Sequence, residues 1–140
     1  MEPIQGYIGY ELIQAFRAHH LRAEKELGLL GLRPSQELIL LQLWEQEGLS
    51  QSLLAERMKV EQSTMSVMLR RMEKAGFIER RQDLQDARIS RIYLTQKGRE
   101  LESRIRAIWE ELEHQTLAGL TMAEQVLLRR LLQQVRTNLL

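Results

Sequence analysis

Two stretches of this chain carry side chains suited to contact with nucleic acid. Between residues 62 and 75, amides and hydroxyls come first, cations follow, and apolar residues recur on one helical face. Amides and hydroxyls can hydrogen-bond base edges, whereas cations attract phosphates. A face rich in Ser and Thr adds little to helix stability, so we interpret it as a recognition surface rather than an ordinary solvated face. Its members are Gln62, Ser63, Ser66, Val67, Arg70 and Lys74, opposite the apolar Met65, Met68, Leu69 and Met72.

The second stretch is basic. From Arg70 to Arg91 there are seven basic and four acidic residues, a local net charge of +3. Of the 20 basic residues in the whole chain, 16 are arginine, whose planar guanidinium suits phosphates and base edges. Taken alone, the charge would fit a salt-bridged solvent face equally well. Position favours the binding interpretation, because the polar stretch from Gln82 to Ala87 is typical of a hairpin tip and would present Arg88 there.

Helices must position most of these side chains, because leucine fills 26 positions and proline only two. Apolar spacing of three and four residues predicts the first four helices. We expect the first helix at about residues 5–28. The second should run from residue 33 to Gly48, with an apolar stripe of Leu38, Leu41 and Trp44. The third should span 51–58, with Ser50 as its N-cap, and the fourth 62–75. The tight turn between the third and fourth helices is typical of a helix-turn-helix.

The remaining elements are a hairpin and two further helices. The segments 77–81 and 89–94 hold the densest cluster of β-branched and aromatic residues, which predicts the only sheet. A long fifth helix should follow Thr95, with a stripe of Leu101, Ile105, Ile108 and Leu112. Thr121 and Glu124 form a capping box that begins the sixth helix. The predicted fold is mainly α with a small two- or three-stranded β-wing, in one domain of 1–140.

Composition excludes several classes of function. The chain has no cysteine, so it can form no disulfide, thiolate nucleophile, cysteine-based zinc site or thiol redox sensor. No apolar run approaches the length of a membrane span, and the first residues include an acid instead of a basic signal region. We therefore expect a cytoplasmic protein with no membrane partner. No H-E-x-x-H, G-x-S-x-G or glycine-rich phosphate loop occurs, so we expect neither an enzyme nor a cofactor.

The ordered motifs resemble the winged-helix core of the MarR (multiple antibiotic resistance regulator) family. The paired-acid wing motif D-x-x-D-x-R, followed by L-T-x-x-G, is the most specific part of the resemblance. It covers about residues 33–98 by motif and the other helices by length and order. The residues that carry it are Leu54-Ala55, Met58, Val60, Ser63-Thr64-Met65-Ser66, Met72-Glu73-Lys74, Gly76-Phe77-Ile78, Arg80, Asp83, Asp86-Ala87-Arg88, Leu94-Thr95 and Gly98.

The resemblance implies a homodimeric transcription regulator, and we expect a repressor of a pseudo-palindromic double-stranded DNA operator. Recognition helices would enter major grooves, and the wings would touch the minor groove. Arg88 would be the wing-tip arginine, with Asp86 orienting it through a salt bridge. The expected DNA-contacting residues are Ser50, Gln51, Ser52, Gln62, Ser63, Thr64, Ser66, Val67, Arg70, Arg71, Lys74, Arg81, Asp86 and Arg88. Glu61 and Val67 depart from the family's usual residues, which implies weaker affinity or an unusual operator.

The two ends of the chain should form the dimer. The apolar stripe of the first helix is Ile8, Leu12, Phe16, His19, Ala23 and Leu27, and that of the last is Leu127, Leu128, Leu131, Leu132, Val135 and Leu139. A leucine face of that width would be exposed in a monomer, although packing on the chain's own first helix is the alternative. We therefore expect residues 1–32 and 95–140 to form the dimerisation region of the chain and residues 33–94 to form its DNA-binding lobe.

A small aromatic or anionic effector would relieve binding in a regulator of this kind. Candidate pocket residues are Tyr10, Arg17, His20, Trp44 and Trp109, each of which also has a plain structural role as core, dimer contact or solvent-facing residue. His19 is expected to be a buried histidine of the first stripe. We expect no metal site, because adjacent His19 and His20 point about 100° apart on a helix. The competing functional hypothesis is a winged-helix module that binds protein and not DNA.

Overall fold

Helices dominate the computed structural model, which describes all residues from Met1 to Leu140. After a short 3-10 turn at Ile4–Gly6, seven helices and one three-stranded antiparallel sheet follow. The elements are α1 (Ile8–Gly28), α2 (Gln36–Glu45), β1 (Leu49–Ser50), α3 (Gln51–Met58), α4 (Gln62–Lys74), β2 (Ile78–Gln82), β3 (Ser90–Leu94), α5 (Gln96–Glu100), α6 (Glu102–Leu117) and α7 (Met122–Leu139). The predicted fold class, a mainly helical winged helix-turn-helix, is confirmed.

The sheet is the wing and its root. Strand order is β1-β3-β2, with Ile78 opposite Leu94 and Gln82 opposite Ser90 in the hairpin. The two-residue β1 pairs with β3 through Leu49 and Ile92. Because β1 runs directly into α3, this pairing fixes the start of the helix-turn-helix to the base of the wing.

Helix α2 corrects the sequence prediction at its start and on its buried face. It begins at Gln36 because Ser35 has a left-handed backbone, with φ of 79°, and it ends at Glu45 rather than at Gly48. Its buried apolar residues are Ile39, Leu40 and Leu43. The predicted stripe of Leu38, Leu41 and Trp44 is half-buried or exposed, because α2 packs against both β3 and α6 and turns a different face inward.

The predicted long fifth helix is two helices, α5 and α6, separated at Leu101. The interruption is shallow, because Leu101 keeps right-handed helical dihedrals and its carbonyl accepts a hydrogen bond from the Ile105 amide at 2.9 Å. Leu101, Ile105 and Leu112 are buried, so most of the predicted stripe survives the break. Thr95 caps α5 as expected, with its hydroxyl accepting from the Gly98 amide at 3.1 Å.

The core lies between α2, α3, α4 and the hairpin, and the two ends of the chain contribute little to it. Leu27 is the only buried residue of α1, and α7 has none. His19 was expected to be buried, but it is half-buried, with its ring tilted against Trp109 at 6.2 Å between centroids. Only one side of the His19 ring is covered, by Trp109 of α6, and no residue that precedes it in α1 is buried. None of the helices combines the length and hydropathy needed to cross a bilayer.

Candidate nucleic-acid interface

Helix α4 presents the polar face that its sequence predicts. Met65, Leu69 and Met72 are buried against the core, and Met68 is half-buried. On the other side Ser66 is half-buried and all the rest are exposed, namely Gln62, Ser63, Thr64, Val67, Arg70, Arg71 and Lys74. Amides and hydroxyls therefore precede the cations along one solvent-facing surface. The side chain of Glu61, the residue before the helix, makes no capping bond.

The turn between α3 and α4 sets the angle of this helix. Lys59 ends α3 in the left-handed region, with φ of 57°, and the Val60 amide donates back to the Ala55 carbonyl at 3.1 Å. Ala55 is buried where the two helices pack. At the other end of α3, the Ser50 hydroxyl accepts from the Leu53 amide at 3.1 Å, which is the predicted N-cap.

The wing tip is a turn built around two aspartates. The Asp83 carboxylate accepts from the amides of Gln85 and Asp86 at 3.1 and 3.0 Å, and from Arg91 Nε at 2.6 Å. Asp86 accepts from Arg88 at both carboxylate oxygens, 3.0 Å to Nε and 3.1 Å to Nη2, and also from the Arg88 amide. The pKa of Asp83 is lowered chiefly by the Arg91 hydrogen bond, and that of Asp86 by Arg88.

These contacts aim Arg88 outward. Its side chain is 91% exposed although both ends of the guanidinium are bonded to Asp86. The bidentate pair restrains a long, flexible side chain without burying its charge. An exposed guanidinium at the end of a narrow ribbon has the shape and charge to enter a minor groove, where the negative potential is concentrated.

A cleft of about 390 Å³ joins the recognition helix, the start of α3 and the wing. The structure thereby brings together five of the predicted site residues. The cleft is lined by Ser50, Gln51, Ser52, Gln62, Arg88, Ile89, Ser90 and Arg91. Nearly all of these side chains are polar or cationic, as a surface that meets a phosphate backbone requires.

Arg80 belongs to this site, and the sequence reasoning left it out. Its guanidinium donates to Gln51 Oε1 at 2.7 Å and to the Ser66 carbonyl at 3.2 Å. One side chain on β2 thus contacts both helices of the helix-turn-helix. The only sequence signal was its place in the Gly76-Phe77-Ile78-x-Arg80 motif, which gives no partner.

Arg81, one residue along, points to the other side of the sheet because successive strand residues face opposite ways. It is hydrogen-bonded to Glu79 and lies 4.2 Å from the centroid of the Tyr93 ring. Arg81 does not line the cleft, whereas the predicted wing-tip residue Arg88 does.

None of the predicted effector residues lines either the cleft beside the wing or the groove between α1 and α6. Arg17 is exposed, and Tyr10, His20, Trp44 and Trp109 are half-buried. Trp44 Nε1 donates to the Gly98 carbonyl at 3.2 Å. A groove of about 690 Å³ runs between α1 and α6 past Leu21 and Ile108, and none of the five residues lines it.

The predicted dimerisation residues lie on open surface in the single chain. Ile8, Leu12, Leu131, Leu132 and Leu139 are exposed, and Leu128 and Val135 are half-buried. The alternative raised by the sequence was that this face packs on the chain's own first helix. The first helix does not cover it, since no residue of α7 is buried.

The fold and the site together define a winged-helix protein of the kind that binds DNA. Comparison with known proteins agrees. A protein-family model described as "MarR family" matches residues 32–90 of this chain. An uncharacterized HTH-type transcriptional regulator of Bacillus subtilis, YybA, is 32% identical over 110 residues, 79% of this chain and 73% of the relative. An HTH-type transcriptional repressor of Mycobacterium tuberculosis is 29% identical over 131 residues, 94% of each chain.

A solved structure supports the same assignment. The S. aureus MepR–DNA complex superposes with a TM-score of 0.88 at 25% identity, covering 94% of this chain and 98% of that one. The chain therefore belongs to the MarR family of winged-helix transcription regulators, and it is a DNA-binding regulator of that type. Its relatives are named as regulators and not as enzymes.

Proposed function

We propose that this chain acts as a homodimeric repressor that binds a pseudo-palindromic operator. The observation that carries the proposal is the cleft in which Gln62 at the start of α4, the start of α3 and the Arg88 wing tip meet, beside the exposed polar face of α4. In this arrangement α4 reads base edges in the major groove through Gln62, Ser63 and Ser66. Arg70, Arg71 and Lys74 hold the backbone, and Arg88 enters the adjacent minor groove.

The apolar ends of the chain support dimerisation. Residues 1–32 and 95–140 carry the exposed apolar side chains of α1 and α7, whereas 33–94 hold the polar cleft. Two copies that cover these ends would present two recognition helices related by a two-fold axis. Such a dimer binds half-sites about one helical turn apart.

Repression follows from occupancy, because a dimer bound across a promoter blocks access to it. The similarity to the M. tuberculosis repressor over 94% of each chain supports this choice over activation. Binding would be relieved by a small aromatic or anionic molecule, with Tyr10, Arg17, His20, Trp44 and Trp109 as candidate contacts. A thermal-shift screen with aromatic acids tests the effector, since a ligand that prefers the native dimer raises its melting temperature.

Competition binding tests the main proposal. Labelled DNA from the region upstream of the gene is titrated with the protein, and unlabelled specific or random DNA competes. We expect strong preference for the upstream DNA and a steep fall in affinity with salt. Affinity indifferent to sequence would contradict operator binding.

Two variants separate the minor-groove contact of Arg88 from base reading in the major groove. Arg88→Ala should weaken binding to every sequence and reduce the salt slope by about 1, whereas Ser66→Ala should change sequence preference and leave the slope alone. Arg104→Ala is the matched control, because it removes the same charge from the exposed surface of α6. Equal effects of Arg88→Ala and Arg104→Ala would argue against the assigned minor-groove contact.

A further inference from the structure

Arg80 occupies the junction of the three elements that form the cleft. It lies on β2, its Nη1 donates to Gln51 Oε1 at the first turn of α3, and its Nη2 donates to the Ser66 carbonyl in the middle of α4. Glu73 lies 3.8 Å from Nε, which has no hydrogen-bond partner. The guanidinium is thus committed to protein groups, and only 24% of the side chain is exposed.

The bond to Gln51 fixes which end of that amide faces the cleft. A carboxamide has an acceptor oxygen and a donor NH2, and either can point outward when no partner selects one. Arg80 offers only donors, so it holds the oxygen. The Gln51 NH2 makes no hydrogen bond within the chain, and Gln51 lines the cleft beside Ser52 and Arg91.

We propose that Arg80 is a positioning residue for DNA binding, which acts through Gln51 by turning its NH2 donors toward a phosphate of the bound strand. The proposal rests on the operator-binding function above and adds a residue that does not itself touch DNA. The second bond, to the Ser66 carbonyl, fixes the wing strand against the recognition helix. The Arg80 side chain therefore sets both the orientation of the Gln51 NH2 in the cleft and the distance between the wing and helix α4.

A double-mutant cycle tests the coupling. Arg80→Met removes the donors but keeps an apolar stem of similar length, and Gln51→Met removes the amide. We expect Gln51→Met to weaken operator binding roughly fivefold in the wild-type background, the scale of one lost hydrogen bond. In the Arg80→Met background it should change affinity less than about twofold, because the amide is already released there. Equal losses in both backgrounds, or no loss in the wild-type background, would overturn the proposal.

The salt dependence separates indirect from direct action. Gln51 is uncharged and releases no counterion, so neither substitution should alter the slope of log affinity against log salt. An arginine that contacts phosphate itself contributes about 0.9 to that slope. A fall of this size in Arg80→Met would show direct contact and refute positioning through Gln51.

Stability must be measured alongside binding. If Arg80→Met fails to fold, Arg80→Ala replaces it, since alanine also lacks the donors that hold the Gln51 oxygen. The cycle is then read from Arg80→Ala with the same criteria. Wild-type protein without sequence preference would refute operator binding itself, an outcome distinct from an uncoupled cycle in a protein that binds its operator.

Discussion

At the wing tip, the Asp83 carboxylate organises the turn that carries Arg88. It accepts two backbone amides and the Arg91 guanidinium, and Arg91 in turn donates to the Gly48 carbonyl at 3.0 Å. The pKa of Asp83 lies below its ordinary value of 3.8, so its contribution to order is complete above that value and is lost as the pH falls through the lowered pKa. The wing should therefore keep its structure throughout the neutral range.

Asp83→Asn should loosen the wing, because a carboxamide oxygen cannot replace both carboxylate oxygens. We expect faster hydrogen exchange at the amides of Gln85 and Asp86 and roughly threefold weaker DNA binding, since a mobile Arg88 must be ordered on binding. Hydrogen exchange read by NMR measures the first effect. Glu79→Gln is the control, because Glu79 pairs with Arg81 on the other face of the hairpin. Unchanged exchange in Asp83→Asn would show that the backbone holds the tip alone.

Glu37 is a buried carboxylate whose pKa is raised, whereas that of Asp83 is lowered. It is 4% exposed, its Oε2 has no hydrogen-bond partner, and burial raises its pKa above the ordinary value of 4.5. Backbone hydrogen bonds at Glu37 and Ser35 and, more weakly, the charge of His20 oppose this rise of the pKa without reversing it. A raised pKa means that the folded protein holds the proton more tightly than the unfolded chain. Glu37 therefore costs stability as the pH rises from 4.5 through the raised pKa, and this cost is constant above it.

Replacing Glu37 with Gln removes that titration. We expect the melting temperature of the wild type minus that of Glu37→Gln to fall as the pH rises from 4.5, and then to level off. Comparing the two proteins at each pH cancels the contributions of the shared groups that do not interact with Glu37. Differential scanning calorimetry across this range measures the difference, and a difference independent of pH would contradict a raised pKa at Glu37.

Single residues also show where sequence reasoning stops. The outward face of α4 was predictable because the period of Met65, Leu69 and Met72 fixes the opposite side. The Asp86–Arg88 pair was implied by the family resemblance, whose wing motif places an aspartate two residues before the arginine. Arg80 was not, because its partners are 29 and 14 residues away and only the folded chain brings them together. Arg81 has the same side-chain chemistry, and strand parity alone sends it to the other face.

At the scale of elements, Gly98 allows helix α5 to pack closely against the start of strand β2. A Cβ at this position would lie 2.2 Å from the Phe77 carbonyl oxygen, which also accepts the Thr95 amide. Backbone atoms cannot give way as a flexible side chain can. The glycine of the L-T-x-x-G motif is therefore a packing requirement, which holds α5 against the base of the hairpin.

Gly98→Ala should cost about 3 kcal/mol of unfolding free energy, the upper range for forced overpacking. Gly28→Ala is the matched control, because nothing lies within 4 Å of a Cβ there and its backbone is not left-handed. We expect that control to be neutral or slightly stabilising, since alanine favours the helix. Urea denaturation measures both, and equal stability of the two variants would contradict the proposed close approach.

Element boundaries followed local chemistry where a cap or turn decided them. Ser50 and the Thr121 capping box began α3 and α7 as predicted, because the deciding hydrogen bonds span three residues. The prediction of the buried face of α2 was wrong. This helix is apolar nearly all round, so its contacts with β3 and α6 decide which face is buried, and the apolar pattern does not. The shallow break at Leu101 left the apolar period intact and so gave no sequence signal.

At the scale of the whole molecule, near-neutral charge does not argue against DNA binding. The +1 net charge averages the basic segment 70–91 with acids elsewhere, among them Glu110, Glu111 and Glu113 on α6. Cations and polar groups line the cleft between α3, α4 and the wing, whereas the exposed leucines predicted to form the dimer interface lie mainly on α7. The polar cleft and the leucine-rich surface of α7 are thus separated in space, so a substitution on α7 leaves the side chains of the cleft in place.

Dimerisation offers the corresponding test. Leu131 and Leu132 are 43% and 46% exposed on α7, which has no buried residue, so a charge there should leave the fold of each chain intact. Leu132→Glu should convert a dimer of twice the 16.5-kDa chain mass into monomer, as light scattering after gel filtration would show. Operator affinity should fall with it, because each monomer then binds one half-site. Leu84→Glu, at the fully exposed wing tip, adds the same charge and should leave the mass unchanged. If Leu132→Glu stays dimeric, α7 does not form the interface, and if the wild type is monomeric, the two-fold arrangement of recognition helices is wrong.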